Sequence, residues 1–151
     1  MKERKIMPFD KNFVPALRFA VMSDIHIDDE DCIEEQRFAK ALDDLKNLCS
    51  SDERYSGFDA LVIVGDFASR GSEIQMRKVK KILAASLPAD VRLIMTMASH
   101  EYMTDGEENA LRRFDEIFGL TPDTHAVING FDFIAVTTTV GFHFHDKKRG
   151  F

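Results

Sequence analysis

Three short apolar runs, each ended by a residue able to bind a metal or move a proton, constrain this chain more than any other feature. They are Arg18-Phe19-Ala20-Val21-Met22, Ala60-Leu61-Val62-Ile63-Val64 and the stretch from Val91 to Met97. Their apolar residues are continuous instead of alternating, which is the pattern of buried strands in a parallel sheet. Ser23-Asp24-Ile25-His26 follows the first run, Gly65-Asp66 the second and Ala98-Ser99-His100-Glu101 the third. In an open parallel sheet the carboxyl ends of the strands line one crevice, where ligands bind. The three polar ends are therefore expected to converge.

Helical spacing fills the intervals. From Ile33 to Cys49, the residues Phe38, Ala41, Leu42, Leu45, Leu48 and Cys49 share one face, and Lys40, Asp43, Asp44 and Lys46 fill the other. Ser72 with Gln75 three positions later reads as a capping box. The helix it opens turns Ile74, Val79, Ile82 and Leu83 inward and is closed by Pro88. Asp105 with Glu108 predicts a third helix start, leading through Leu111, Phe114, Ile117 and Phe118 to a stop at Gly119. Beyond Pro122, Val127-Ile128 and Phe131 to Thr138 read as strands around an Asn129-Gly130 hairpin turn. The order β-α-β-α-β-α-β-β predicts a layered α/β fold with a mainly parallel sheet. Residues 1–17 read as an extended lead-in, and 18–151 as the N-terminal part of an incomplete domain with no repeat, linker or low-complexity stretch.

Composition narrows the function classes. Of 151 residues, 44% are apolar and 30% charged, an ordinary globular balance that excludes a disordered or fibrous chain. Twenty basic against 26 acidic residues leave a net charge of −6, which argues against bulk attraction to nucleic acid. No apolar run approaches the roughly 20 residues that span a bilayer. The stretch Met1 to Lys11 has no apolar core of a secretory signal, so a cytoplasmic protein is expected. Cys32 and Cys49 lie outside any CxxC or Cys/His cluster and read as free thiols on or near one helix.

Asp24 and His26, two apart at an extended strand end, point the same way and can reach one cation. A mixed carboxylate and imidazole set suits Mn, Fe or Zn better than Mg or Ca alone. The three blocks together resemble the calcineurin-like metallophosphoesterases, whose pattern is DxH, then GDxxxxG, then GNH followed by Asp or Glu. Here they are Asp24-Ile25-His26, Gly65-Asp66-Phe67-Ala68-Ser69-Arg70-Gly71 and Ala98-Ser99-His100-Glu101. The likeness covers roughly residues 18 to 140. It implies a layered α/β sandwich, of which this chain supplies the N-terminal half-sheet and its helices.

The resemblance also implies a mechanism. Asp24 and His26 hold a first divalent metal and Asp66 bridges it to a second. A hydroxide between the metals attacks the phosphorus of a phosphomonoester or phosphodiester in line. His100 stabilises or protonates the leaving oxygen, and Arg70 contacts phosphate oxygens. Two departures bear on the second metal. Ser99 replaces the family's Asn ligand with a shorter, poorer donor, so that metal is expected to bind weakly or through water. Ala98 replaces a Gly and is expected to restrict a tight turn.

The family's late histidine blocks have one counterpart, Gly141-Phe142-His143-Phe144-His145. His143 and His145 are candidate ligands by their alternation; the competing reading is an edge segment with Phe142 and Phe144 inward. The alternative function is a truncated or degenerate module that binds phosphate or a partner without catalysis. A half-sheet with an uncovered face is further expected to self-associate. His125 reads as a surface residue, and the acidic run Asp28 to Asp31 as a solvated loop favouring the helix after it. His100-Glu101-Tyr102-Met103-Thr104 lacks the second histidine of HExxH, and neither a GxxxxGK[ST] loop nor a GxSxG elbow occurs.

Overall fold

A computed structural model describes residues 13–51 and 57–137 of the chain. Strand β1 spans Phe19–Met22, β2 Ala60–Val64 and β3 Arg92–Thr96; helix α1 spans Ile33–Ser51, α2 Glu73–Ser86 and α3 Glu107–Phe118. The three strands form one parallel sheet in the order β1-β2-β3, with Phe19 opposite Ala60 and Ala60 opposite Arg92. A short 3-10 turn, Ser99–Tyr102, follows β3 and was not expected from the sequence. The last two strands, β4 (Thr124–Ile128) and β5 (Phe131–Ala135), pair antiparallel as a separate two-stranded sheet. The mixed α/β class and the parallel sheet expected from the strand-helix alternation are both present.

Each strand has two faces, and they differ. Side chains at Leu61, Ile63 and Met95 enter a core that α1 closes with Phe38 and Leu42, α2 with Met76, Val79 and Leu83, and α3 with Phe114 and Phe118. Among the described residues, the other face is only partly covered. Phe133 of β5 meets Phe19 edge to face at 5.3 Å, and a cavity of about 310 Å³ lies between β5 and Val62, Val64, Ile94 and Thr96. Ile94 and Thr96 are buried there, while Val21 and Val64 are 56% and 47% exposed. The continuous apolar runs predicted strands buried on both sides; β1 instead alternates, because helices shield only one of its faces.

Local signals set the element ends. Ser72 caps α2 through its hydroxyl to the Gln75 amide, and the reciprocal Gln75 side-chain bond completes the box. Gly119, left-handed at φ 66, ends α3. Asn129 and Gly130 both take positive φ, 51 and 83, as a two-residue hairpin of this twist requires. Two expectations fail. Ile74 is 56% exposed, its inward place being taken by Met76. Asp105 does not cap α3: Gly106 holds that position without a side-chain bond, and Asp105 forms a two-pronged pair with Arg113 at 2.9 and 2.7 Å. The longer reach of Arg113 competes successfully for the carboxylate.

Candidate metal centre

The three loops that carry the candidate ligands leave the sheet at the carboxyl ends of its strands, and in the first two the backbone turns left-handed. Asp24, His26 and Asp66 have φ of 54, 53 and 50. Left-handed backbone at a residue with a Cβ costs of order 1–3 kcal/mol and persists only where its surroundings enforce it. Asn129, in the hairpin turn, is the other non-glycine with such a φ among the described residues. Local strain is thus concentrated at the site.

Hydrogen bonds between the loops supply the enforcement. His26 and Ile27 donate their amides to the carbonyls of Asp66 and Phe67, at 3.0 and 3.1 Å, and Ser69 returns an amide to Ile27 at 2.9 Å. The Ser69 hydroxyl donates to the His26 carbonyl at 2.9 Å. Phe67, next to Asp66, is fully buried between Phe114 and Phe118, with ring centroids 6.2 and 5.7 Å away. Burial of such a ring contributes about 1.5–3 kcal/mol, so it anchors the loop that carries Asp66.

The glycines of this loop are steric necessities. A Cβ on Gly65 would lie 2.4 Å from the Ala98 Cβ, and one on Gly71 would lie 2.0 Å from the Glu101 carbonyl oxygen. Ala98 itself sits at φ −129 and ψ −164, an extended conformation open to any residue. The expected restriction at Ala98 is therefore not found; the close approach is met by the absence of a side chain at Gly65.

One ligand atom from each of His26, Asp66 and His100 lies within 4.8 Å of the other two. The two imidazole rings stand nearly perpendicular, with centroids 4.5 Å apart. His100 Nδ1 lies 2.7 Å from the Ser69 carbonyl oxygen. A carbonyl can only accept, so Nδ1 carries the proton and Nε2 keeps its lone pair for a cation or a proton. Anchoring one ring nitrogen on a carbonyl in this way is how metal-binding histidines are oriented. The His100 amide also donates to Asp66 Oδ1 at 3.1 Å. Two imidazoles and a carboxylate form a donor set that suits Mn, Fe or Zn.

The remaining candidates lie around this group. Asp24 Oδ1 is 3.9 Å from His26 Nε2, but its side chain is 69% exposed and outside the cluster. Ser99 opens the 3-10 turn. Arg70 is exposed; its amide donates to Gln75 Oε1 at 2.9 Å and its carbonyl accepts the Thr104 hydroxyl at 2.7 Å. His143 and His145 fall outside the described residues. His125, on β4, pairs with Asp132 at 2.6 Å on the surface. The acidic loop is tied down: Lys78 donates to the carbonyls of Asp28 and Glu30 and to the Glu35 carboxylate, at 3.1, 2.7 and 2.6 Å. A cleft of about 570 Å³ adjoins Asp24 and His26, floored by Met22 and Phe38 with Arg37 at its side.

Glu101 has the least expected surroundings. It is fully buried, and its carboxylate accepts the amides of Asp66, Ala68 and Ala98 at 2.9, 3.0 and 2.8 Å. Burial pushes its carboxyl up to about 7; the three amides pull the other way and the nearby Asp66 charge adds to the rise. The sequence showed an acid after His100, but nothing in the order of residues indicated three amide partners.

Strand ends that gather carboxylate and imidazole donors in one crevice define a metal-binding α/β protein. The family model for calcineurin-like phosphoesterases matches residues 17–150, and the chain belongs to that family. Membership implies, at family level, divalent metals and the hydrolysis of phosphate esters. No curated protein matches the chain. Among the described residues, no helix is long and apolar enough to cross a membrane.

Proposed function

We propose that this chain is a metal-dependent phosphoesterase whose centre is built from His26, Asp66 and His100, with Asp24 beside them. The observation that carries the reading is the convergence of these three residues, from three separate loops, to within 4.8 Å. When bound there, a divalent cation supplies positive charge to the phosphoryl oxygens and lowers the pKa of a coordinated water. Asp66 supplies the negative charge that holds the cation. His26 adds a neutral donor, its loop fixed by backbone bonds to the Asp66 loop. His100, oriented by the Ser69 carbonyl, presents Nε2 for a proton needed by the leaving oxygen. Arg70, exposed on the loop that follows Asp66, is the candidate for contact with phosphate oxygens.

The grouping of His100 with two ligands favours a second reading, in which its Nε2 is a third metal donor and no protein acid serves the leaving group. His100→Ala separates the two. As a proton donor, its loss leaves Mn affinity unchanged and lowers turnover about 10²–10⁴-fold. As a ligand, its loss lowers Mn affinity itself.

Activity is tested with an aryl phosphodiester in the presence of Mn, Fe or Zn. Hydrolysis by the wild type, abolished in Asp66→Ala, is the expected result. An inactive wild type with all three metals returns the protein to the alternative of a phosphate- or partner-binding module.

A further inference from the structure

We propose that Glu101 is a positioning residue, whose buried carboxylate locks the loops after β2 and β3 together so that Asp66 and His100 address the same cation. The proposal rests on the reading that His26, Asp66 and His100 hold the metal. Its basis is a network of three amides on one carboxylate. Oε2 accepts from Asp66 and from Ala98, and Oε1 from Ala68. Two donors thus come from the loop that carries Asp66 and one from the residue two before His100. A full charge is costly to bury unless hydrogen bonds replace its water, and this carboxylate is 0% exposed.

The connection to the ligands is short and covalent at both ends. The amide held by Oε2 belongs to Asp66, the residue whose backbone is left-handed. The carboxylate of Asp66 accepts the amide of His100, which adjoins Glu101 in the chain. Gly71, at φ 72, lets the Glu101 backbone approach so closely that no Cβ fits between them. Glutamine cannot reproduce this arrangement. It has one acceptor oxygen, and its amide nitrogen would face a donor. Aspartate keeps both oxygens but is one methylene too short to reach both loops.

The test is Mn binding by titration calorimetry on metal-free wild type, Glu101→Gln and Glu101→Asp, with urea unfolding of each as the measure of stability. Val79→Ala, on the buried face of α2, serves as a variant destabilised away from the site. The expected result is a folded Glu101→Gln whose Mn dissociation constant rises about 10–100-fold, while folded Val79→Ala binds as the wild type does. Should Glu101→Gln not fold, Glu101→Asp is expected to show the same rise. A folded Glu101 variant with wild-type affinity overturns the proposal. So does failure of both variants to fold, which makes the carboxylate a folding element only. Wild type that takes up no Mn overturns the metal reading and this proposal with it; normal wild-type binding with unchanged variants overturns this proposal alone.

Discussion

At the scale of single residues, the site is a set of backbone conformations as much as a set of side chains. Gly71 combines positive φ with direct contact to the Glu101 backbone, where nothing flexible can yield. Gly71→Ala is therefore expected to lose about 3 kcal/mol or more, beyond the usual range for surface changes, and urea unfolding measures it. The GDxxxxG block made both glycines visible in the sequence, and the strand-end pattern singled out Asp24, His26, Asp66 and His100, of which the last three gather within 4.8 Å. The role of Glu101 was not visible. Its partners are main-chain amides, which every residue possesses, so no residue type betrays them. The Ser69 carbonyl that fixes the His100 tautomer was hidden for the same reason.

Among the elements, helix starts show where local rules hold and where longer contacts override them. Ser72 and Gln75 obey the capping rule, and Gln75 does more: its buried side chain also accepts the Arg70 amide and donates to Asp28. At α3 the rule gives way, and Asp105 is spent on Arg113. That pairing, through the guanidinium hydrogen bonds, holds the Asp105 carboxyl below its ordinary value of 3.8. A lowered carboxyl stabilises the fold fully above that unfolded value, and the stabilisation is lost as pH falls through the lower folded value. Asp105→Asn is thus expected to destabilise the protein at pH 7 and to flatten the acid limb of stability below about pH 4, read by thermal unfolding across pH. The element list itself was largely legible, because helical and strand periods differ. The extra 3-10 turn was not, since four residues carry too short a period to register.

For the whole molecule, the two faces of the parallel sheet matter most. Among the described residues, three helices close one, and the hairpin closes only part of the other. Ile134 and Val136 are 76% and 72% exposed and line one cavity with Val64, a cluster of apolar surface that single scattered residues do not make. The native protein is expected to enhance the fluorescence of an apolar dye such as anilinonaphthalene sulfonate, and Ile134→Lys to reduce it without lowering the unfolding midpoint by more than a few degrees. An unchanged signal removes the bare face from consideration. The sequence carried only the expectation of an uncovered sheet. Which strand residues stay exposed depends on where the hairpin leans, a tertiary choice without a local signature.

The left-handed turns at Asp24, His26 and Asp66 carry one more consequence. A chain that stores strain in two loops, and gathers like-natured donors there, gains most from whatever compensates it. Loops from residues 24 to 100 meet only in the folded chain, so an ion that joins them bolts together segments that unfolding must separate. For the proposed metal centre, scarcity of the ion is then expected to shorten the time the molecule survives among proteases. Its abundance in a cell would follow the supply of metal, even when synthesis does not change.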